Sequence, residues 1–299
     1  MKLGILFVAT SATLAGTLGT FGTVLFDAGF SGFQVASIRM LITCVVLLAV
    51  YPVVFHGCFA IMRDNWKLLL PHSIAVVFGF SMLFFIATEY LGVTLAVALL
   101  YTAPIWVMIL ASFFLGEISG LVKWALVFCS VAGVAFVLNT QGQEIKLSLL
   151  GLCFGFGSAI GYAIFAVLGK IALRTISAKN LLFSALTFAI PLLLLFPSTW
   201  QGLEQLSQSR DLNVWGSFVA VSLLGTLLMN VLYMNGLTRI NASTATVITT
   251  IEPLVATFLA VFIVQEILAP SQYFGVLLII VSATLIGILD GRIKKESKN

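Results

Sequence analysis

The chain has 299 residues, of which 61% are hydrophobic and only 9% are charged. About a quarter of the residues of a soluble domain are charged, so this composition excludes an ordinary soluble protein and indicates an integral membrane protein. The net charge of +4 is small, and the positions of the Lys and Arg residues along the chain carry more information than their sum.

Apolar runs between polar breaks predict ten transmembrane helices, numbered here as spans one to ten. Each run is long enough to cross a hydrocarbon core about 30 Å thick, whereas a β-barrel would alternate apolar and polar residues in segments of about ten. The longest connection runs from Ser198 to Leu212, so no soluble domain lies between spans. The ten predicted spans are residues 3–26, 32–55, 68–88, 93–115, 121–139, 147–170, 180–197, 213–237, 242–265 and 271–290.

Positively charged residues gather on one side of this arrangement. With a cytoplasmic N-terminus, the inner side holds twelve of the Lys and Arg residues, and the outer side holds only Lys146 and Arg210. The remaining one, Arg39, lies within span two. Cytoplasmic loops carry the excess of positive charge, so both termini are predicted to face the cytoplasm.

The chain contains an internal repeat. The stretch LYTAPIWVMILASFFLGE aligns with TIEPLVATFLAVFIVQE so that Pro104 pairs with Pro253 and Glu117 pairs with Glu266, each 149 residues apart. A second alignment, between the beginnings of the two halves, has an offset of 147. Two neighbouring offsets over half the chain indicate one duplicated unit.

Each unit holds five spans, an odd number, so the second unit is predicted to cross the membrane in the opposite direction. Inverted repeats allow a carrier two related conformations, with the substrate site near the midplane where the halves meet. The predicted domains are a first five-helix repeat at residues 1–140, a second at 147–290 and a basic cytoplasmic tail at 291–299.

Ten short-looped spans in two halves, each with the motif P-x12-E, resemble the drug/metabolite transporter (DMT) superfamily in its EamA-type branch. The resemblance covers nearly the whole chain. It implies an all-α fold of two inverted five-helix repeats around a central cavity. It also implies a multi-pass protein of the inner (cytoplasmic) membrane that carries a small metabolite, an amino acid or an amphipathic compound by alternating access. Such carriers are often exporters and are driven by a gradient rather than by ATP; both proton coupling and exchange stay open.

Glu252 is the leading candidate for a binding residue. It lies about ten residues into span nine, roughly 15 Å from the inner edge at a rise of 1.5 Å per residue. A carboxylate inside a membrane is costly and is by default a candidate functional site, so we expect it to bind substrate or a proton. The alternative is a hydrogen bond to polar groups exposed by the neighbouring kink. Ala103 holds the matching place in the first repeat, so the kink itself does not require an acid.

The paired prolines and the paired closing glutamates have expected structural roles. A proline leaves a carbonyl group one turn earlier without its donor and bends the helix. Pro104 and Pro253 are therefore predicted kinks that either open backbone onto the cavity or allow helices to pack. Glu117 and Glu266 end their spans on opposite faces, where we expect each to cap a helix or to bond to a loop as a gate.

Further polar and aromatic residues inside the spans are candidates for the cavity lining. Arg39 either snorkels to the interface or pairs with an acid or the substrate, including the open pairing with Glu252. Asn230 either binds a ligand or makes an interhelical hydrogen bond. Aromatic candidates that stack on a solute, or that simply pack, are Tyr101, Trp106, Tyr162 and Tyr233.

Neither an enzyme nor a metal centre is predicted. The four cysteines show no CxxC pairing, the only histidines are His56 and His72, and motifs for hydrolysis or nucleotide binding are missing from the sequence. We therefore expect no cofactor and no nucleic-acid partner; the partners are a small-molecule substrate and membrane lipid, with monomer and homodimer both open. The rival interpretation is a channel or a sensor that binds a small molecule without carrying it.

Overall fold

The computed structural model is helical throughout the residues that it describes. The described ranges are residues 2–51, 57–91, 93–117, 119–137, 148–259 and 269–296. The helices of the first half are Lys2–Gly16, Leu18–Asp27, Gly32–Ala49, Cys58–Asp64, Trp66–Ile74, Leu83–Leu91, Val93–Leu100, Ala103–Leu115 and Leu121–Val137. Those of the second half are Leu149–Ala172, Ala178–Leu194, Pro197–Gln208, Leu212–Ser222, Met229–Leu237, Ala242–Thr249, Glu252–Leu259 and Pro270–Glu296.

Several of these helices are long and apolar enough to cross a membrane. Among the described residues there are four, namely Gly32–Ala49, Ala96–Leu115, Leu149–Ala172 and Leu212–Leu237. A fifth candidate joins Ala178–Leu194 to Pro197–Gln208 across a bend of 95°. Shorter apolar helices fall in spans one, three, five and ten, where breaks interrupt the apolar runs or the described helix is short. The chain is thus a multi-pass helical membrane protein.

The longest predicted connection, after span seven, is itself largely a helix, Pro197–Gln208. Proline fits its first turn because the ring has no N–H to leave unpaired there. The buried side of this helix holds Thr199, Gly202 and Leu206, at intervals of three and four residues. A Cβ on Gly202 would lie 3.0 Å from the side chain of Gln34, so this helix packs closely against span two.

Spans four and nine are broken at the same place relative to their prolines. In span four, Val93–Leu100 ends before Ala103–Leu115 begins, and Pro104 lies in the first turn of the second piece. In span nine, Ala242–Thr249 ends before Glu252–Leu259 begins. Proline is tolerated in the first turn of a helix but disfavours helical geometry in the residue before it. Each break therefore precedes its proline.

Spans three and eight also share an irregularity. Each contains a stretch of π-helix, Ala75–Met82 in span three and Leu223–Leu228 in span eight. Wider turns of this kind are frequently found at functional sites. Span six packs very closely against the first of these stretches, because a Cβ on Gly161 would lie 1.9 Å from the carbonyl oxygen of Gly79.

The packing of helices follows the repeat. Span one packs against spans eight and nine, and span six packs against the corresponding spans three and four. Spans five and ten pack against each other, as do spans two and seven and spans four and nine. This set of contacts is therefore unchanged when the two repeats are exchanged. The repeats meet along a shared central surface.

Candidate functional site

A central cavity of about 290 Å³ lies where the two repeats meet. Spans one to four and six to nine all contribute to its lining. Most of the lining is apolar, with small and aromatic side chains. The polar or charged lining residues are Ser11, Arg39, Ser81, Tyr101, Tyr162, Thr226, Asn230, Tyr233, Thr249 and Glu252.

Glu252 lines this cavity at the break of span nine, as the first residue of the helix Glu252–Leu259. Its carboxyl group interacts with the hydroxyl group of Tyr101, which lies at the matching break of span four. The two interrupted helices thus bring an acid and a phenol together from opposite repeats. Ala103, the counterpart of Glu252 by position, is buried and does not line the main cavity.

Arg39 also lines the cavity, from the middle of the helix Gly32–Ala49. Its Nε atom is buried and has no hydrogen-bond partner. Its charge interacts with that of Glu252, yet among the described residues it forms no ion pair within 4.0 Å. The guanidinium group therefore faces the cavity without a direct partner for its charge in the described part of the chain.

Smaller polar groups line the same space. The Asn230 side-chain amide donates to the carbonyl oxygen of Thr226 at 2.7 Å, within span eight and next to its π-helical stretch. Ser11 donates to the carbonyl oxygen of Met229 at 2.9 Å, joining spans one and eight. The hydroxyl group of Ser81, in the π-helical stretch of span three, is buried without a hydrogen-bond partner.

An aromatic wall closes one side of the cavity. The rings of Phe165 and Tyr233 stack with centroids 6.0 Å apart, and Phe80 meets Tyr162 edge to face at 5.4 Å. The buried hydroxyl group of Tyr233 has no hydrogen bond within 3.5 Å among the described residues, although it lies close enough to Tyr162 and Thr246 to interact with their hydroxyl groups. Trp106 lies outside the lining and packs against the main hydrophobic core instead. Two residues after Pro104, it is turned by about 200° around the helix, toward the opposite face.

A second polar site lies at the end of span four and joins the two repeats; we call it the Glu117 cluster, formed by Glu117, Lys123, Ala242 and Ser243. The carboxylate of Glu117 accepts hydrogen bonds from the Ala242 N–H at 3.0 Å, the Ser243 N–H at 3.4 Å and the Ser243 hydroxyl group at 3.0 Å. The buried Lys123 ammonium group donates to the same hydroxyl group at 2.9 Å. Glu117 thus caps span nine across the repeat boundary, rather than the helix that follows it in sequence.

Another lysine closes the helix end nearby. The ammonium group of Lys170, at the end of span six, donates to the carbonyl oxygens of Leu237 and Ile240, the latter at 2.5 Å. These carbonyl groups belong to the C-terminal end of span eight, where a cation is stabilised by the helix dipole. The carbonyl groups at the end of span eight therefore find their hydrogen-bond donor within the second repeat.

Some candidate residues fall elsewhere. Glu266 and His56 lie outside the described residues. His72 is fully buried beside Phe165 and does not line the cavity. No group of three or more His, Cys, Asp or Glu side chains with a geometry for metal binding occurs among the described residues.

Sequence reasoning missed the hydroxyl residues Ser11, Ser81, Thr226 and Thr249 of the lining. Ser and Thr are common inside membrane helices because their hydroxyl groups bond to the carbonyl group one turn earlier. They therefore carry no separate signal of function. Their position relative to the π-helical stretches is what sets Ser81 and Thr226 apart, and no sequence motif marks such a stretch.

Comparisons with known proteins agree with this architecture. The chain is 26% identical over 300 residues to the uncharacterized transporter YwfM of Bacillus subtilis, covering 94% of this chain and 92% of that protein. It is 25% identical to an uncharacterized transporter of Clostridium kluyveri, covering 95% and 93% of the two chains. A solved crystal structure shares the fold with a TM-score of 0.79 at 17% identity, covering 97% of this chain and 98% of the other.

The profile of the EamA-like transporter family matches the chain twice, at residues 2–139 and 149–288. The two matches fall in the two halves that the internal alignment separates. The protein is accordingly a membrane transporter and not an enzyme. The chain belongs to the EamA-like transporter family, within the drug/metabolite transporter superfamily.

Proposed function

We propose that the protein is a secondary active carrier that moves a small solute by alternating access, with export as its net direction. Ten spans form two inverted five-helix repeats in the inner membrane, with both termini in the cytoplasm. The observation that carries this proposal is the cavity at the surface between the repeats, because inverted-repeat carriers bind their substrate there. Export and the inner membrane rest on the family likeness.

The two interrupted helices supply the moving parts of the proposed cycle. The breaks before Pro104 and Pro253 free backbone groups from the helical ladder at matching depths, where small changes of φ and ψ turn one half-helix against the other. Glu252 and Tyr101 lie at these breaks, so a change at the binding residues is transmitted directly to the hinges.

The Glu117 cluster is the proposed gate on the cytoplasmic face. Its hydrogen bonds hold span nine of the second repeat against spans four and five of the first. Opening that face requires these bonds to separate, and water then replaces them. A gate made of hydrogen bonds suits this role because each bond contributes only about 0.5–1.5 kcal/mol to stability, or 1.5–3 where a charge takes part.

Counterflow in proteoliposomes tests the carrier directly. Vesicles with the reconstituted full-length protein are loaded with a uniformly ¹³C-labelled metabolite extract and placed in the unlabelled extract, and mass spectrometry follows the exchange of each solute. A carrier exchanges label for unlabelled solute faster than it allows net loss into plain buffer. Net loss into plain buffer that is as fast as exchange indicates a channel, and binding without flux indicates a sensor; either result contradicts the proposal.

The role of Glu252 is tested in the same vesicles with Glu252→Gln at several pH values. We expect the substitution to remove the pH dependence of net loss into plain buffer and to lower its rate at least tenfold, because the amide neither takes up nor releases a proton. Glu204→Gln, on the exposed face of the helix Pro197–Gln208, is the matched control and keeps the wild-type profile. A pH profile that survives Glu252→Gln unchanged would show that this carboxyl group has no part in coupling.

A further inference from the structure

We infer that the cargo is a small organic monoanion, such as a monocarboxylate, whose charge is held by Arg39 while Glu252 takes up a proton. The inference rests on the proposed function, since it names the solute class that the carrier moves. It concerns the chemistry of the central cavity and follows from which polar groups there already have partners.

Arg39 provides the first step. Its buried Nε atom has no partner, and the side chain forms no ion pair within 4.0 Å among the residues that the structure describes. A buried N–H donor without an acceptor is unfavourable, and a guanidinium group offers a planar fork of N–H donors that matches a carboxylate with two parallel bonds. The site therefore lacks an acceptor in direct contact with these donors, and the carboxylate of an organic anion would supply one.

Glu252, unlike Arg39, already has a polar group close to it in the empty cavity. Its carboxyl group already interacts with the hydroxyl group of Tyr101, and its charge interacts with that of Arg39 across the cavity. The acid thus balances the guanidinium charge while the cavity is empty. A cation in the cargo would add a second positive charge beside Arg39, whereas an anion replaces Glu252 as the partner of that charge.

Charge balance then couples cargo to proton. When the anion binds Arg39, an ionised Glu252 would lie near it as a second negative charge in a medium of low dielectric constant, where like charges repel strongly. Glu252 is relieved of this repulsion by taking up one proton from the water on the side to which the cavity is open. No other bond is made or broken, and anion and proton leave together on the far side, so the outward gradient of the anion drives export.

The groups around Glu252 are compatible with this exchange. The described titratable or charged groups that face it are Arg39 of span two, Tyr101 of span four and Tyr162 of span six. Span one contributes small residues at this level, since a Cβ on Gly16 would lie 2.8 Å from the carbonyl oxygen of Glu252. Arg39 is thus the only described cation that faces Glu252. Whether Arg39 pairs with Glu252 or with the cargo therefore controls the charge of this acid.

The size and lining of the cavity set the remaining properties of the cargo. A volume of about 290 Å³ is at the lower end of the range for small-molecule sites. The lining beyond the polar groups is apolar and aromatic, so a second ionised group on the solute would be buried without a partner. One negative charge and a compact apolar body match this space.

The counterflow experiment with the ¹³C-labelled extract separates this inference from the proposed function. Solutes that exchange are predicted to be organic monoanions. If cations, neutral solutes or zwitterions exchange instead, the protein is still a carrier but the assignment of its cargo is wrong. If nothing exchanges, the proposed function fails and the inference fails with it.

Variants of Arg39 test the anion contact. For the exchanged solute, Arg39→Gln is expected to lower the apparent affinity roughly thirtyfold, a typical effect for a hydrogen-bonded charge. Arg39→Lys keeps the charge without the fork and recovers part of the affinity. Arg63→Gln, at an exposed position, leaves the affinity unchanged and serves as the matched control. Equal affinities in wild-type protein and a folded Arg39→Gln variant would overturn the inference.

Proton uptake tests the coupling. Purified wild-type protein in detergent, in weak buffer with a pH indicator, is expected to take up about one proton for each anion bound. Glu252→Gln is expected to bind the anion with no uptake of protons. Wild-type uptake of zero, or uptake that persists in Glu252→Gln, would show that Glu252 does not balance the charge of the cargo.

Discussion

The central cavity and the Glu117 cluster hold similar polar groups in opposite conditions. In the Glu117 cluster the carboxylate accepts three hydrogen bonds, and Lys123 donates to the hydroxyl group of Ser243. In the cavity, Arg39 and Ser81 each keep a buried polar atom without a partner among the described residues. Since buried polar groups are nearly always satisfied in folded proteins, unpaired groups that also line the cavity are candidates for contact with a ligand, whereas the Glu117 cluster holds the fold together.

Removing the charge of Arg39 is expected to give the largest effect, a loss of binding with little change in stability. Arg39→Gln loses about 2 kcal/mol of binding free energy for the cargo. The melting temperature of the cargo-free protein in detergent changes little, because Arg39 forms no ion pair within 4.0 Å among the described residues and Glu252 takes up a proton once the opposite charge is removed. Calorimetry and thermal unfolding of the same preparation measure both quantities. A fall of the melting temperature by several degrees would place Arg39 among the structural groups.

Glu117→Ala is expected to produce the reverse pattern. The substitution leaves the N–H groups of Ala242 and Ser243 without their acceptor and destabilises the protein by about 1–3 kcal/mol. The affinity for the cargo is unchanged because the cluster lies outside the cavity lining. Thermal unfolding in detergent gives the measurement, with Glu204→Ala as an exposed control. A loss of affinity with no loss of stability would remove the distinction between the two regions.

Two serines give the smallest and most closely matched comparison. Ser11 and Ser81 both line the cavity, but Ser11 donates to a carbonyl oxygen at 2.9 Å and Ser81 has no partner. We expect Ser11→Ala to lower stability by about 1 kcal/mol and Ser81→Ala to leave it unchanged within about 0.5 kcal/mol. Thermal unfolding of the two variants side by side is the test. Equal losses of stability would contradict the distinction between a hydrogen-bonded Ser11 and an unpaired Ser81.

The sequence allowed much of the site to be predicted because charged residues and prolines inside apolar spans are rare. Glu252, Arg39 and Asn230 stand out on that ground, and the structure brings all three to one cavity. The matching breaks in spans four and nine follow from prolines at equal offsets. A membrane environment makes each such residue costly, so its presence carries a signal that the same residue lacks in a soluble protein.

Other features depend on packing that the sequence does not display. Trp106 faces the core because it lies two residues after Pro104 in the same helix, and the sequence does not show which face of that helix meets the cavity. Only four helices of the described residues are both long and apolar enough to cross a membrane, since breaks interrupt several apolar runs. The helix Pro197–Gln208 escaped notice because its mixed composition resembles that of a loop.

The central claim is that the cargo occupies the cavity between the repeats, and substrate protection tests it most directly. In a background with the exposed Cys129 and Cys153 replaced by Ser, Asn230→Cys places a single reactive thiol on the lining. The solute that exchanges most strongly in counterflow is expected to slow maleimide labelling of this thiol in proportion to its occupancy. An unchanged labelling rate at saturating solute would show that the cargo binds elsewhere.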